Sequence, residues 1–215
     1  SSTKPTFLKI ARAVEQAGVD AIVLHARSRA QRYRRPADWS RVEELTGSVS
    51  VPVIGNGDIF DWRDALRRRE ESGCAAVMIG RWALAKPWIF REFAEQRDIR
   101  PTPEERLAVV RRYVELCREQ FGDDEKGRRR IRRFLGFHQD FFRRYLPRAE
   151  SGAVNSEDPR DWGEPPRDEL ERWLCRADLA AVEALCDWLV EGDSPRMPPP
   201  PGPDAVRAVK FKSFG

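Results

Sequence analysis

The sequence predicts an α/β fold over its first hundred residues, built on a parallel sheet, and a purely helical region after Arg100. Two observations carry this. Short apolar runs that end in glycine or polar residues alternate with amphipathic stretches, the pattern of βαβ units with buried parallel strands. Beyond Arg100 only helical periodicity remains.

Residues 5–18 read as a helix, with Phe7, Ile10, Ala11, Val14 and Ala17 on one face and Gly18 as its stop. Val19 to His25 is a short buried strand ending in a polar residue. Residues 39–46 form a second helix, with Asp38 as cap and Gly47 as stop. Val51 to Ile54 is the next strand, running into Gly55-Asn56-Gly57-Asp58. Asp61 then caps a helix over 62–72, closed by Gly73. Ala75 to Arg81 is the third strand, and a further helix runs through Trp88, Ile89, Phe90 and Phe93. Thr102-Pro103-Glu104-Glu105 is a capping box with proline in the first turn. It opens a helix whose buried face is Leu107, Val110, Val114 and Cys117. The next helix, 125–145, carries Phe134, Phe137, Phe141 and Tyr145 at helical spacing. Residues 148–166 read as a linker, and 167–190 as a helix or helix pair with Leu170, Trp173, Leu174, Leu185, Trp188 and Leu189 inward. The proline-rich tail is expected to be disordered.

The chain has 215 residues, 34% charged and 40% hydrophobic, a globular composition. No apolar run reaches the roughly 18 residues of a membrane span, and no secretory leader opens the chain. Cys74, Cys117, Cys175 and Cys186 are scattered without metal-ligand spacing, so no metal site is expected, and a reduced, cytoplasmic protein is. The net charge is only +4, yet eight basic residues lie between Lys126 and Arg144 against one acid, Asp140. Such a stripe suits an anionic partner; a solvated helix face is the alternative. The phenylalanines of this helix fit the core of a helix pair, which leaves its arginines as the phosphate candidates.

Each strand ends in chemistry: His25, then Asn56 and Asp58, then Gly80 and Arg81. Glycines at a strand end let backbone N–H groups approach an anion, and Arg81 adds a charged donor fork. Each segment alone also fits an ordinary turn, and His25 alone fits a solvent-facing histidine. Together, on two consecutive strands after which the α/β pattern stops, they match the phosphate site of a (β/α)₈ barrel, built after its last two strands. Arg27, Arg29, Arg32, Arg34 and Arg35 would crowd the same mouth and suit a polyanion.

His25-Ala26-Arg27-Ser28-Arg29-Ala30-Gln31, Pro36-Ala37-Asp38-Trp39, Val51 to Ile59, Val77 to Arg81 and Pro87-Trp88-Ile89-Phe90 resemble, in order and spacing, the later half of the tRNA-dihydrouridine synthases. Residues 101–147 are similar in type to the helical domain that follows the barrel there. The resemblance implies the C-terminal portion of a (β/α)₈ TIM barrel over 1–98, a helical tRNA-binding domain over 99–147, a linker and helical extension over 148–191, and a tail over 192–215. It implies an FMN-dependent oxidoreductase that takes hydride from NADPH and reduces the C5=C6 bond of a uridine in tRNA. FMN would be held by His25, Arg27, Asn56, Gly57, Asp58, Gly80 and Arg81, and tRNA by Arg29, Arg32, Arg34, Arg129, Arg130 and Arg133.

The sequence departs from the family at Ala26, usually glycine, at Ser28, usually threonine, and at Trp82, often a small residue. None of the four cysteines occupies the catalytic cysteine's place, which lies upstream in the family. Three strands cannot close a barrel. The chain is therefore expected to be part of a larger enzyme, inactive alone and monomeric when complete. The rival readings are an inactive RNA-binding module and another FMN barrel oxidoreductase.

Overall fold

A computed structural model describes residues 6–28, 35–145, 168–176 and 178–192. They divide into two compact units. The first holds the described residues of 1–83 and 87–98, and the second those of 84–86 and 99–215.

The first unit is α/β. Helix α1 (Thr6–Gln16), strand β1 (Ile22–His25), α2 (Ser40–Thr46), β2 (Val53–Asn56), α3 (Trp62–Ser72) and β3 (Ala76–Met78) alternate, and α4 (Arg81–Ala85) and α5 (Ile89–Glu95) follow. The strands form a parallel sheet in the order β1-β2-β3, with Ile22 opposite Val53, His25 opposite Asn56, and Asn56 opposite Met78. Alternation along each strand sorts the side chains onto two faces. Ile22, Leu24, Val53 and Val77 turn toward a core of Ala11, Trp39, Val42, Leu45, Ala65 and Cys74. Val23, His25, Ile54, Asn56, Ala76 and Met78 occupy the other face, where Val23 is 51% and Met78 44% exposed. This face carries apolar side chains that no described element covers.

Local signals act where the sequence puts them. Asp61 caps α3 by accepting the Asp64 N–H at 2.8 Å, and Gly73 closes it in the left-handed region. Two expectations for this unit shift. Ile10 (59% exposed) and Val14 stand at the surface, because α1 meets the core through Phe7, Leu8 and Ala11 instead. Asp38 does not cap α2 through its side chain; its carboxylate accepts the Ser40 hydroxyl at 2.6 Å and the Arg41 Nε–H at 2.9 Å.

The second unit is helical: α6 (Pro103–Phe121), α7 (Glu125–Phe142), α8 (Glu169–Leu174) and α9 (Leu179–Glu191). The capping box of α6 is complete, Thr102 and Glu105 exchanging N–H bonds of 2.7 and 3.2 Å. Buried positions on α7 are Ile131, Leu135, His138, Gln139 and Phe142. Phe134, expected inside, is 45% exposed, because the helix presents the residues one step later in phase, Leu135, His138 and Phe142, to its neighbours α6 and α9. Arg106, charged and on α6, is fully buried between the rings of Phe142 and Tyr145, with Glu171 at 3.5 Å. The expected linker, 148–166, lies outside the described residues, as does the expected tail beyond Gly192.

Among the described residues no helix is long and apolar enough to cross a membrane, and no group of three or more His, Cys, Asp or Glu is arranged to hold a metal.

Candidate functional site

The C-terminal ends of the three strands meet at one edge of the sheet. His25, Asn56 and Met78 lie side by side in register there. With the turn from Gly57 to Phe60 and the start of α4 they line a cleft of about 100 Å³. His25, Arg27, Asn56, Gly57, Asp58, Gly80 and Arg81 all border this cleft. Its remaining walls are Ile59, Phe60, Met78 and Trp82, which sequence reasoning did not assign to the site. Phe60 and Trp82 meet edge to face with ring centroids 5.7 Å apart. Met78 could have been found from the register, since it alternates with Ala76 on the same face as Asn56.

The strand ends are tied together by side chains. Asn56 donates its amide to the Met78 carbonyl at 2.7 Å, and His25 Nδ1 lies 3.2 Å from the Asn56 carbonyl. The tight step from β2 into its turn depends on glycine twice. A Cβ on Gly55 would sit 2.4 Å from the Trp39 ring, and one on Gly57 2.7 Å from the Ala37 Cβ, with Gly57 also at φ +135°. The Trp39 indole N–H donates to the Gly57 carbonyl at 2.9 Å and holds the turn against α2.

Asp58 follows at φ +49°, a conformation that costs a non-glycine residue energy, though less for Asp than for most. Its carboxylate holds it there. One oxygen accepts from Arg27 Nη2 at 2.6 Å, and the other accepts from the same group and from the Ala37 N–H at 2.7 Å. Arg27 also donates through Nε to the Arg35 carbonyl at 2.8 Å. The two side chains are 6% and 14% exposed, so this is a buried ion pair that fastens the segment after β1 to the turn after β2.

The electrostatic consequence is a division of labour. Arg27 and Asp58 cancel one another, and Arg81 brings its guanidinium to the cleft from the start of α4. Above Gly80 the space is open, since a Cβ there would meet nothing within 4 Å. A volume of about 100 Å³ beside Gly80 and Arg81 admits a phosphate-sized anion, and the polar edges of His25 and Asn56 border it. No described residue of the cleft is a nucleophilic or acidic thiol. Cys74 is buried beneath the sheet with its Sγ 3.2 Å from the Ala76 carbonyl, and Cys117, Cys175 and Cys186 belong to the helical unit. Burial pushes the Cys186 thiol up to about 12.

Of the residues assigned to RNA, Arg29, Arg32 and Arg34 lie outside the described residues. Arg129, Arg130 and Arg133 are exposed on α7. Their neighbours Arg128 and Arg132 are committed elsewhere, to Asp123, Asp187 and Glu191, and Arg143 and Arg144 bind Asp140.

A family model described as dihydrouridine synthase (Dus) matches residues 2–158. A tRNA-dihydrouridine(47) synthase, NAD(P)(+), of Malassezia globosa is 34% identical over 226 residues, covering 94% of this chain and 28% of the relative. A tRNA-dihydrouridine(47) synthase-like protein of Mus musculus is 37% identical over 86% of the chain and 28% of its own length. A probable tRNA-dihydrouridine synthase of Mycobacterium leprae is 41% identical over 62% of the chain and 36% of its own length. The chain thus spans about a third or less of the curated relatives it matches.

Proposed function

We propose, because the chain belongs to the dihydrouridine synthase family, that it forms the phosphate-holding end of an FMN-dependent enzyme that reduces a uridine of tRNA with NADPH. The observation that carries this reading is the convergence of His25, Asn56, Gly80 and Arg81 on one cleft at the C-terminal strand ends, where barrel enzymes keep their sites. The bare sheet face supports a barrel interior. Val23, Ile54 and Ala76 form one layer across the sheet and His25, Asn56 and Met78 the next, and strands beyond this sequence would cover them and pair with β1 and β3.

The cleft fits the phosphate end of FMN. Arg81 would supply the counter-charge, the open space over Gly80 would admit a phosphate, and Asn56 and His25 would offer polar groups to the cofactor. The buried Arg27–Asp58 pair keeps the turn rigid, and its carboxylate, already engaged, is held off the phosphate. When bound, FMN would supply the hydride chemistry. The residues of this chain hold and orient it. The proton that completes the reduction comes from a group outside the described cleft. The helical unit presents Arg129, Arg130 and Arg133 to the tRNA backbone. The complete enzyme is a cytoplasmic monomer with the barrel over 1–98 and the tRNA-binding helices over 99–147.

Arg81→Ala in the complete enzyme tests the phosphate assignment. Flavin absorbance per protein should fall at least several-fold after dialysis, while the far-UV circular dichroism stays that of the parent. Full flavin retention would remove Arg81 from the site.

A further inference from the structure

Helix α7 carries three distinct faces at about 100° per residue. One is buried, through Ile131, Leu135 and Phe142. The next is spent on acids, Arg128 and Arg132 pairing with residues of α9 and with Asp123. The third faces solvent, and on it aromatic and basic residues alternate: Arg130, Arg133, Phe134, Phe137 and Phe141 recur at three- and four-residue steps.

Phe134 is the exposed aromatic of this stripe. Its ring, 45% exposed, stacks on Phe121 of α6 with centroids 5.3 Å apart and planes 14° apart. The Arg130 guanidinium lies 5.9 Å from the Phe121 ring centroid. Arg129 and Arg130 form no ion pair among the described residues, so their charge is open to an anion. A stacked, half-exposed aromatic pair on the core side of the unit would be ordinary packing. Here it sits on the face that carries the exposed Arg129 and Arg130.

Resting on the tRNA reading above, we propose that Phe121 and Phe134 form a stacking platform for an unpaired base of the RNA, with Arg129, Arg130 and Arg133 gripping the adjoining phosphates. The occupant follows from complementarity. Arginines alone would serve any polyanion, including a duplex backbone; an exposed aromatic pair among them adds a surface that only a splayed base can use, because bases within a duplex are already stacked. Stacking and charge neutralisation also differ in a measurable way: only the second releases counterions.

The test uses the complete flavin-loaded enzyme and fluorescence anisotropy with labelled tRNA, a uridine-rich single strand and a blunt RNA duplex, each at several salt concentrations. Phe134→Ala should weaken binding to tRNA and to the single strand about ten-fold, with the slope of log affinity against log salt unchanged and duplex affinity unaltered. Phe134→Tyr, which keeps the ring, should bind as the parent does. Arg129→Glu should instead reduce the salt slope by about one. Parental tRNA affinity in Phe134→Ala, or an equal loss on the duplex, overturns the platform while leaving the tRNA reading intact. A parent enzyme that binds no tRNA at any salt overturns that reading and the platform with it.

Discussion

Replacing Asp58 with alanine separates a residue that fastens the cleft from one that touches its ligand. The substitution leaves the Arg27 guanidinium, 6% exposed, without its counter-charge, and takes the acceptor from the Ala37 N–H. Removing one partner of a buried pair costs about 3–5 kcal/mol. The 14% exposure of Asp58 lets some water reach the orphaned charge, which points to the lower end, ~3 kcal/mol. Alanine at φ +49° adds up to about 1 kcal/mol. The double variant Arg27→Met/Asp58→Ala strands no charge and should be more stable than Asp58→Ala alone. With two compact units in the chain, a single unfolding transition is a poor measure. Native-state hydrogen exchange on peptides covering 35–42 and 53–60 reads the local opening directly. Asp58→Ala should speed their exchange roughly a hundred-fold, the equivalent of ~3 kcal/mol, and the double variant should recover much of it. Unchanged exchange in Asp58→Ala, or a double variant that opens faster than the single, would refute the fastening role.

Two further perturbations follow from the packing. Gly55→Ala places a methyl 2.4 Å from the buried Trp39 ring, and such overpacking costs about 1–3 kcal/mol; faster hydrogen exchange over 35–42 and 53–60 with weakened flavin retention is expected, and parental values for both would show that the ring yields freely. His138, stacked on Tyr113 at 4.5 Å and buried, has its pKa pushed down from 6.5 to about 4 by burial. The unfolded chain therefore binds this proton near pH 6.5 and the folded chain only near pH 4, so stability is full above 6.5 and declines as pH falls toward 4, by up to roughly 3 kcal/mol. Denaturant unfolding across that window should show a shallower decline in His138→Phe than in the parent; parallel curves would assign the acid sensitivity to other groups.

Much of the fold was legible because its signals are local. The caps at Asp61 and Thr102, the stop at Gly73 and the strand–helix alternation all depend on residues a few positions apart. Burial phase was less legible. On α7 both the series Ile131, Leu135, Phe142 and the series Phe134, Phe137, Phe141 satisfy helical spacing, and only the partners α6 and α9 decide which turns inward. Arg106 shows the same limit more sharply. A guanidinium reads as surface, yet this one is fully buried because Glu171 and the Phe142 carbonyl, each at 3.5 Å and 65 and 36 residues away in sequence, receive it between two aromatic rings.

At the cleft, sequence reasoning expected these strand ends to meet, and the structure places them around one cleft, but it gave Arg27, Asp58 and Arg81 the same task. A carboxylate in a phosphate cradle would oppose the anion it helps to hold, unless a cation takes its charge first. Arg27 takes it, from a position 31 residues earlier that no local pattern links to Asp58. That pairing explains why the turn can bear a strained aspartate, since the ion pair and the Ala37 N–H bond offset the cost of φ +49°. Arg81 brings a second guanidinium to the cleft, beside the open space over Gly80. Flavin retention should therefore fall directly with Arg81, and with Asp58 only through the loosened turn, so a flavin loss in Asp58→Ala that the double variant also repairs would mark its effect as mechanical.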